Sequence, residues 1–475
     1  MNRVLEAVLA LVLVVTVLDF GGVQPLAYSL MEVVLFGALL TVTVQETWHG
    51  RLNFQVSIWP VLFVVWTGLE LIPLPAGLVR ALEPARFRAP APASLNASGW
   101  LTLSIDPHAS LLGWVRILAY FAAFVIAVRV FDSKTRRSLL VRVLIGLGLF
   151  EAVYGLVQYF FRWQKIFTYT KQYYTEMATG TYINHNHLGG LLELTLPFLV
   201  GAIFYYFQIW LEGRHRRLSS TERAGASAGF QALVYMVLLL VMLVGLLFSR
   251  SRGAILAAIL SLLVIALLAQ LRVRRKTWLL GLFAFLAVFV GYGLWIGLDP
   301  VLTRFEQLGL LRNEEFGAAT RLSFSRDALG IVRDYHWTGT GLGTFITAFR
   351  HYQTGWVTFM VDHAHNDFIE FASETGLVGA ALLFLPIVYL LVKMAIAFLY
   401  DSRRYRPSVL LGCVGSILAI LIHSATDFNL QVPANALIVA VILGIGYKAA
   451  CLEPREEPSA SITSKERVHT ASRHH

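Results

Sequence analysis

The sequence predicts an all-α integral membrane protein of about twelve transmembrane helices, with a large, partly helical outer loop and both termini in the cytoplasm. Three observations lead there. Of 475 residues, 57% are hydrophobic and only 14% charged, a balance foreign to soluble globules. Apolar runs long enough to cross a bilayer recur along the chain. Basic residues gather in alternate short loops, as they do where loops stay inside.

Apolar windows of about 17–20 residues fall near 4–18, 26–44, 57–72, 111–128, 138–161, 188–208, 230–248, 253–270, 278–297, 377–399, 408–423 and 434–450, the third and eleventh being short. Met1-Asn2-Arg3 and the run behind it look like a signal peptide. No small-x-small cleavage site precedes Asp19-Phe20-Gly21-Gly22, so a retained first helix is expected. The expected organisation is helices one to nine over 1–297, a large outer loop over 298–376, helices ten to twelve over 377–452 and a disordered cytoplasmic tail over 453–475.

Four basic clusters set the orientation. Arg129, Lys134, Arg136 and Arg137 separate spans four and five, and Arg214, Arg216, Arg217 and Arg223 separate six and seven. Arg272, Arg274, Arg275 and Lys276 follow span eight, and Arg403, Arg404 and Arg406 follow span ten. All fall on one side if the N-terminus is inside. The net charge of +10 is largely this signal, and no nucleic-acid partner follows from it. Cys413 and Cys451 offer neither a disulfide framework nor metal-ligand spacing. No internal repeat supports an inverted-repeat transporter, and the intramembrane acids Glu32, Glu70, Glu151 and Glu193 are few for an ion-coupled pump.

On this topology the unusual residues gather outside. They occur in residues 73–110, in 162–187 with its ending Asn184-His185-Asn186-His187, in the turn Ser249-Arg250-Ser251-Arg252-Gly253, and in the large loop. Two arginines between apolar helices are costly unless they snorkel to headgroups or meet an anion. Arg250 and Arg252 suit a diphosphate, because guanidinium binds phosphate in bidentate geometry at any working pH. The large loop contributes a helix carrying Arg321, then a glycine-rich turn from Gly339 to Gly343. No strand–helix unit accompanies these glycines, so a backbone turn reaching helix ends or substrate is the better reading. His363-Ala364-His365-Asn366-Asp367 then packs imidazole, amide and carboxylate groups just before a helix re-enters lipid. Glu370 and Glu374 follow. That density points to proton-transfer chemistry, against the plainer reading of a polar helix cap.

The ordered set of motifs resembles the O-antigen ligase and Wzy-type polymerase superfamily of bacterial membrane glycosyltransferases. The resemblance spans nearly the whole chain and is strongest from about Gly180 to Pro433. It rests on the Asn-x-Asn-His segment, the Ser-Arg-Gly turn at 251–253, the Arg321 helix, Gly339-x-Gly-x-Gly-Thr-Phe, Ala364-His365-Asn366-Asp367, Glu374-x-Gly-x-x-Gly and Asp427-Phe428-Asn429-Leu430. It implies transfer of a glycan from an undecaprenyl-diphosphate carrier to an acceptor hydroxyl at the periplasmic side of the inner membrane. The acceptor would be a lipid-linked glycan, lipid A-core or a protein.

On that resemblance Arg252 is a diphosphate ligand and His365 a catalytic residue. His363 is the second catalytic candidate. Arg250, Arg321, His185, Asn186 and His187 are further donor-binding candidates, and Asn366, Asp367 and Glu374 supporting ones. Relatives often carry an arginine where this chain has His185, which puts a second fixed charge there in doubt. The expected reaction needs no metal or other cofactor and inverts the anomeric centre. Asp362 or Asp367 would fix the tautomer of His365, and His365 would matter more than His363, since i and i+2 side chains diverge on extended chain. Polymerase is the favoured activity, with ligation to lipid A-core or protein as the alternative. A non-enzymatic lipid or polysaccharide transporter, and a metal site built from His185, His187, His363 and His365 with Asp367 as a further ligand, are the competing readings.

Overall fold

The computed structural model describes residues 2–50, 56–87, 99–130, 133–215, 219–273, 318–355 and 360–453. The helices are α1 (Asn2–Leu18), α2 (Pro25–Trp48), α3 (Ile58–Leu69), α4 (Ala76–Leu82), α5 (Pro107–Val130), α6 (Lys134–Phe160) and α7 (His185–His215). They continue with α8 (Ser219–Ser249), α9 (Arg252–Val273), α10 (Ala318–Asp334), α11 (Phe345–Phe349), α12 (Asp367–Tyr400), α13 (Tyr405–His423) and α14 (Pro433–Tyr447). Two two-stranded ribbons complete the order, Leu74–Pro75 with Trp100–Leu101 and Lys165–Ile166 with Tyr169–Thr170.

Nine of the described helices are long and apolar enough to span a bilayer: α2, α5 to α9 and α12 to α14, the last with the turn that extends it to Leu452. The first expected span is a helix of 17 residues and the third a helix of 12. The expected span at 278–297 lies outside the described residues, as do 298–317, Arg216, Arg217, Arg274, Arg275, Lys276 and the tail from 454. The chain is therefore a multi-pass, helical membrane protein, and nine helices among the described residues are long and apolar enough to span.

Burial separates inner from outer helices. In the membrane-length windows, 83% of α7 and 78% of α13 is buried, against 33% of α2 and 28% of α12. Without a hydrophobic drive between helices in lipid, close packing needs small residues at the contacts. Gly201 accordingly meets the Ser408 backbone, and Gly412 and Gly415 meet Phe198 and Pro197. Helix α12 is broken at Gly376, whose φ of 68° and ψ of 176° leave the helical region. The turn Asp367–Thr375 thus belongs to the loop layer and the remainder to the bundle. The freed end is capped by the glycine-rich loop: the N–H groups of Thr340 and Gly341 donate to the carbonyls of Ser373 and Glu374, at 3.0 and 2.7 Å.

The helices alternate so that basic residues of three clusters meet on one face. The Arg272 guanidinium donates to the carbonyls of Phe398, Asp401 and Arg403. Arg406 pairs with Asp401 and Glu453, and Arg137 pairs with Glu453. The opposite face carries the starts of α7, α9, α12 and α14 and the end of α13. The four intramembrane acids are used as anchors. Glu32 pairs with Arg116, Glu70 accepts the Leu342 N–H, Glu151 accepts from the Thr181 N–H and hydroxyl, and Glu193 meets His423.

Candidate active site

Asp427 and Phe428 form the centre of the face opposite the basic clusters. They sit in the short connection between α13 and α14, where a carboxylate and a phenyl ring would ordinarily be linker residues. Here both are buried, Asp427 to 1% exposure. His365 Nδ1 lies 3.3 Å from Asp427 Oδ1, and Arg321 Nη1 lies 3.3 Å from Oδ2. Burial alone would raise the Asp427 pKa, but the His365 hydrogen bond and the Arg321 charge hold it well below the ordinary carboxylate range. Asp427 is an anion in this setting.

Three imidazoles surround Phe428. The His363 ring stacks on it at 4.1 Å, His365 meets it edge-on at 4.9 Å, and His187 meets it edge-on at 5.0 Å. The expected divergence of His363 and His365 does not hold. His365 has φ of 51°, a left-handed backbone rare outside glycine, and this turns the chain so that both rings reach Phe428. The Phe324 ring on α10 backs His365 at 6.4 Å.

His363 is held separately. Its Nδ1 is 2.7 Å from Glu370 Oε1, and the second carboxylate oxygen accepts the Ala364 N–H at 2.8 Å. Burial would lower the His363 pKa, but the Glu370 carboxylate outweighs it and raises the value to about 9. At neutral pH His363 is a cation, unsuited to taking a proton.

The expected tautomer-fixing carboxylates do other work. Asp362 is exposed. Asp367 accepts the Ser424 hydroxyl at 2.7 Å and the Leu430 N–H at 3.2 Å, tying the start of α12 to the Asp427 connection. Asn366 caps α12, accepting the Ile369 N–H at 3.1 Å while its amide donates to the Ala425 carbonyl at 2.9 Å. Glu374 accepts the Phe345 N–H at 3.1 Å. All three position the loop, so the helix-cap reading is right for Asn366.

The second half of the site is the start of α7. Asn184 Oδ1 accepts the Asn186 N–H at 2.9 Å and turns the chain into the helix. Gly189 and Gly190 let this helix end approach closely: a methyl at Gly189 would press on Ser251 and Ala254, and one at Gly190 on the Asn429 amide. Gly253 in turn abuts the His423 ring and the Thr426 hydroxyl. The Asn-x-Asn-His segment, the Ser-Arg-Gly turn and the Asp427 connection therefore form one packed unit. Asn186 and His187 are 4% and 9% exposed, and Asn186 Nδ2, His187 Nε2 and Arg321 Nε have no hydrogen-bond partner among the described residues. Asn186 Nδ2 and Arg321 Nε are buried donors, costly when left so, and an anion would satisfy them, as it would His187 Nε2 in the tautomer that protonates it.

Arg252 opens α9 and is exposed. Arg250 is strained, with φ of 56°, and is drawn to Tyr159 on α6, Nη2 to hydroxyl at 3.4 Å. His185 lies against Tyr174, ring centres 4.8 Å apart. Tyr174 also has left-handed backbone, φ 54°, and burial raises its pKa, with the Arg321 and Asp427 charges acting on it in opposite directions. Tyr174, Glu370, Asp427 and Phe428 are the site residues that sequence reasoning did not assign. The Asp-Phe-Asn-Leu motif hinted at two of them, and Glu370 was noted only as following the loop histidines.

Among the described residues no group of three His, Cys, Asp or Glu side chains is placed to hold a metal ion. The Nδ1 atoms of His363 and His365 each face a carboxylate, and with His187 they surround a phenyl ring.

The family model for O-antigen ligase matches residues 237–384, which include the Ser-Arg-Gly turn, the Arg321 helix and both loop histidines. No curated protein matches the chain. Motif order, helical membrane architecture and this match, which spans about a third of the chain, support the resemblance to the O-antigen ligase/Wzy superfamily.

Proposed function

We propose that this membrane enzyme of the O-antigen ligase/polymerase family transfers a glycan from undecaprenyl diphosphate to an acceptor hydroxyl at the periplasmic face, as a polymerase. The observation that carries the reading is the Arg321–Asp427–His365 arrangement beside the α7 start. With Nδ1–H donated to Asp427, neutral His365 presents Nε2 as a base, and Asp427 stabilises the imidazolium that forms. The acceptor oxygen attacks the anomeric carbon and gives its proton to Nε2. The carbon–oxygen bond to the diphosphate breaks, and the electron pair leaves with the lipid diphosphate. The anomeric centre inverts.

Negative charge then grows on the leaving diphosphate. Arg252, Arg321, the His363 imidazolium and the buried donors of Asn186 and His187 are the groups suited to it, with Arg250 and His185 further out. The N-termini of α7, α9 and α12 add positive potential on this side. An anionic leaving group stabilised by fixed cations needs no bound metal.

The donor is a lipid, and an apolar groove suits its prenyl chain. The groove runs between α3, α5, α12 and α14. It begins at Phe371 and Leu430, beside the site, and continues along Ala436, Val439, Ala440, Leu443 and Tyr447. That is roughly 17 Å along α14 at 1.5 Å per residue. A transporter for sugars would want a polar path, and this groove is lined with hydrocarbon.

The test is reconstitution of the purified protein with an undecaprenyl-diphosphate-linked repeat. A ladder of longer lipid-linked products is expected. Transfer only when lipid A-core or an acceptor protein is added would replace polymerase with ligase. No loss of donor under either condition would overturn glycosyl transfer.

A further inference from the structure

On the face opposite the candidate active site, a cavity of about 220 Å3 opens between α6, α7, α8 and α13. One water needs about 10–15 Å3 on this measure, so the space admits a group of several heavy atoms. Its rim is basic and aromatic. Lys134 and Arg142 stand on α6 eight residues apart with Ser138 between them, a spacing of four that puts all three on one helix face. Lys134 Nζ is 3.1 Å from the Tyr205 hydroxyl and lies over the rings of Tyr205 and Tyr405 at 5.4 and 5.3 Å. Tyr206 and Tyr235 stack at 5.6 Å on the same wall.

Neither cation has an anionic partner among the described residues. Arg136 and Arg137 in the same helical turn pair with Glu6 and Glu453, whereas Lys134 and Arg142 form no ion pair among the described residues. Lys134 also stands at the start of α6, where the helix dipole disfavours a cation. Tyr405 opens α13 at the same place, and its hydroxyl, beside Ser138, is buried without a completed hydrogen bond among the described residues. Two helix N-termini, two unneutralised cations and an unused hydroxyl donor converge on one opening.

We infer that this cavity binds a phosphate group, presented by an anionic phospholipid of the leaflet that faces the basic clusters. Arg142 grips phosphate oxygens as a fork, and Lys134 adds a point charge held by its tyrosines. The lipid source follows from the surroundings. Leu139, next to the lining residue Ser138 on α6, is an exposed large apolar residue, and Val141, Ile145 and Phe198 line the cavity deeper down, where an acyl chain would lie. Basic pockets between transmembrane helices are suited to such headgroups. The site is independent of the transfer chemistry, which lies at the other end of the helices.

The experiment uses delipidated full-length protein in detergent, titrated with dioleoyl phosphatidylglycerol or dioleoyl phosphatidylcholine by native mass spectrometry, with inorganic phosphate followed by thermal unfolding. Phosphatidylglycerol should bind at least about tenfold more tightly than phosphatidylcholine, and the Lys134→Gln/Arg142→Gln double variant should lose that preference. Lys134→Arg/Arg142→Lys should keep it, which separates loss of charge from misfolding. No preference between lipids, but stabilisation by phosphate that the neutral double variant lacks, would keep the phosphate site and assign it a soluble ligand. If no response to either lipid or phosphate depends on Lys134 and Arg142, the inference is overturned.

Discussion

His365 Nδ1 stands 3.3 Å from Oδ1 of Asp427, a residue 62 positions further along the chain. The contact joins the loop that precedes α12 to the connection between α13 and α14, and it is the pairing on which the proposed proton transfer depends. Asp427→Asn removes the anion while keeping the shape. Turnover should fall by roughly 10²–10⁴-fold, the span typical of losing general-base assistance, with donor binding changed far less. Steady-state transfer kinetics separate the two. A fall in donor affinity with turnover intact would make Asp427 a support for Arg321 alone.

His363 supplies a pH test. Glu370 raises its pKa to about 9 from the ordinary 6.5. The folded protein therefore holds this proton more tightly than the unfolded chain, so the stabilisation is complete below about pH 6.5 and is lost as pH rises through about 9. Donor affinity should weaken over the same alkaline window as the imidazolium discharges. Glu370→Gln should move that loss down toward neutrality. Donor affinity flat from pH 6 to 10 would remove His363 from diphosphate binding.

The apolar groove predicts discrimination by tail length. Ala440 lines it at 9% exposure, so Ala440→Phe should obstruct it. KM for an undecaprenyl donor should rise roughly tenfold, about 1.4 kcal/mol, while a short-prenyl analogue that ends above Ala440 is unaffected. Equal effects on both donors would indicate a general packing defect instead.

Nine of the spans were legible because lipid imposes long apolar runs, and Arg252, Arg321 and His365 drew notice as candidates because cations and imidazoles stand out against such runs. Asp427 was harder to read. One carboxylate in a short connection looks like a linker residue, and nothing local in the sequence pairs it with a histidine in another loop. Phe428 was hidden for the same reason, since a phenylalanine among apolar helices carries no signal. The meeting of His363 with His365 was missed because it depends on a left-handed backbone at His365, which side-chain periodicity cannot report. Asp367 was read as a partner of the catalytic imidazole by proximity in sequence, whereas burial turns it toward Ser424 and Leu430.

The most direct measurement is the single-turnover transfer rate of His365→Ala, with lipid-linked donor and acceptor at saturation in vesicles. With donor binding intact, the rate should drop by roughly two to four orders of magnitude. Near wild-type transfer by that variant would contradict a proton-accepting His365 and leave the Asp427–His365 pair a structural contact.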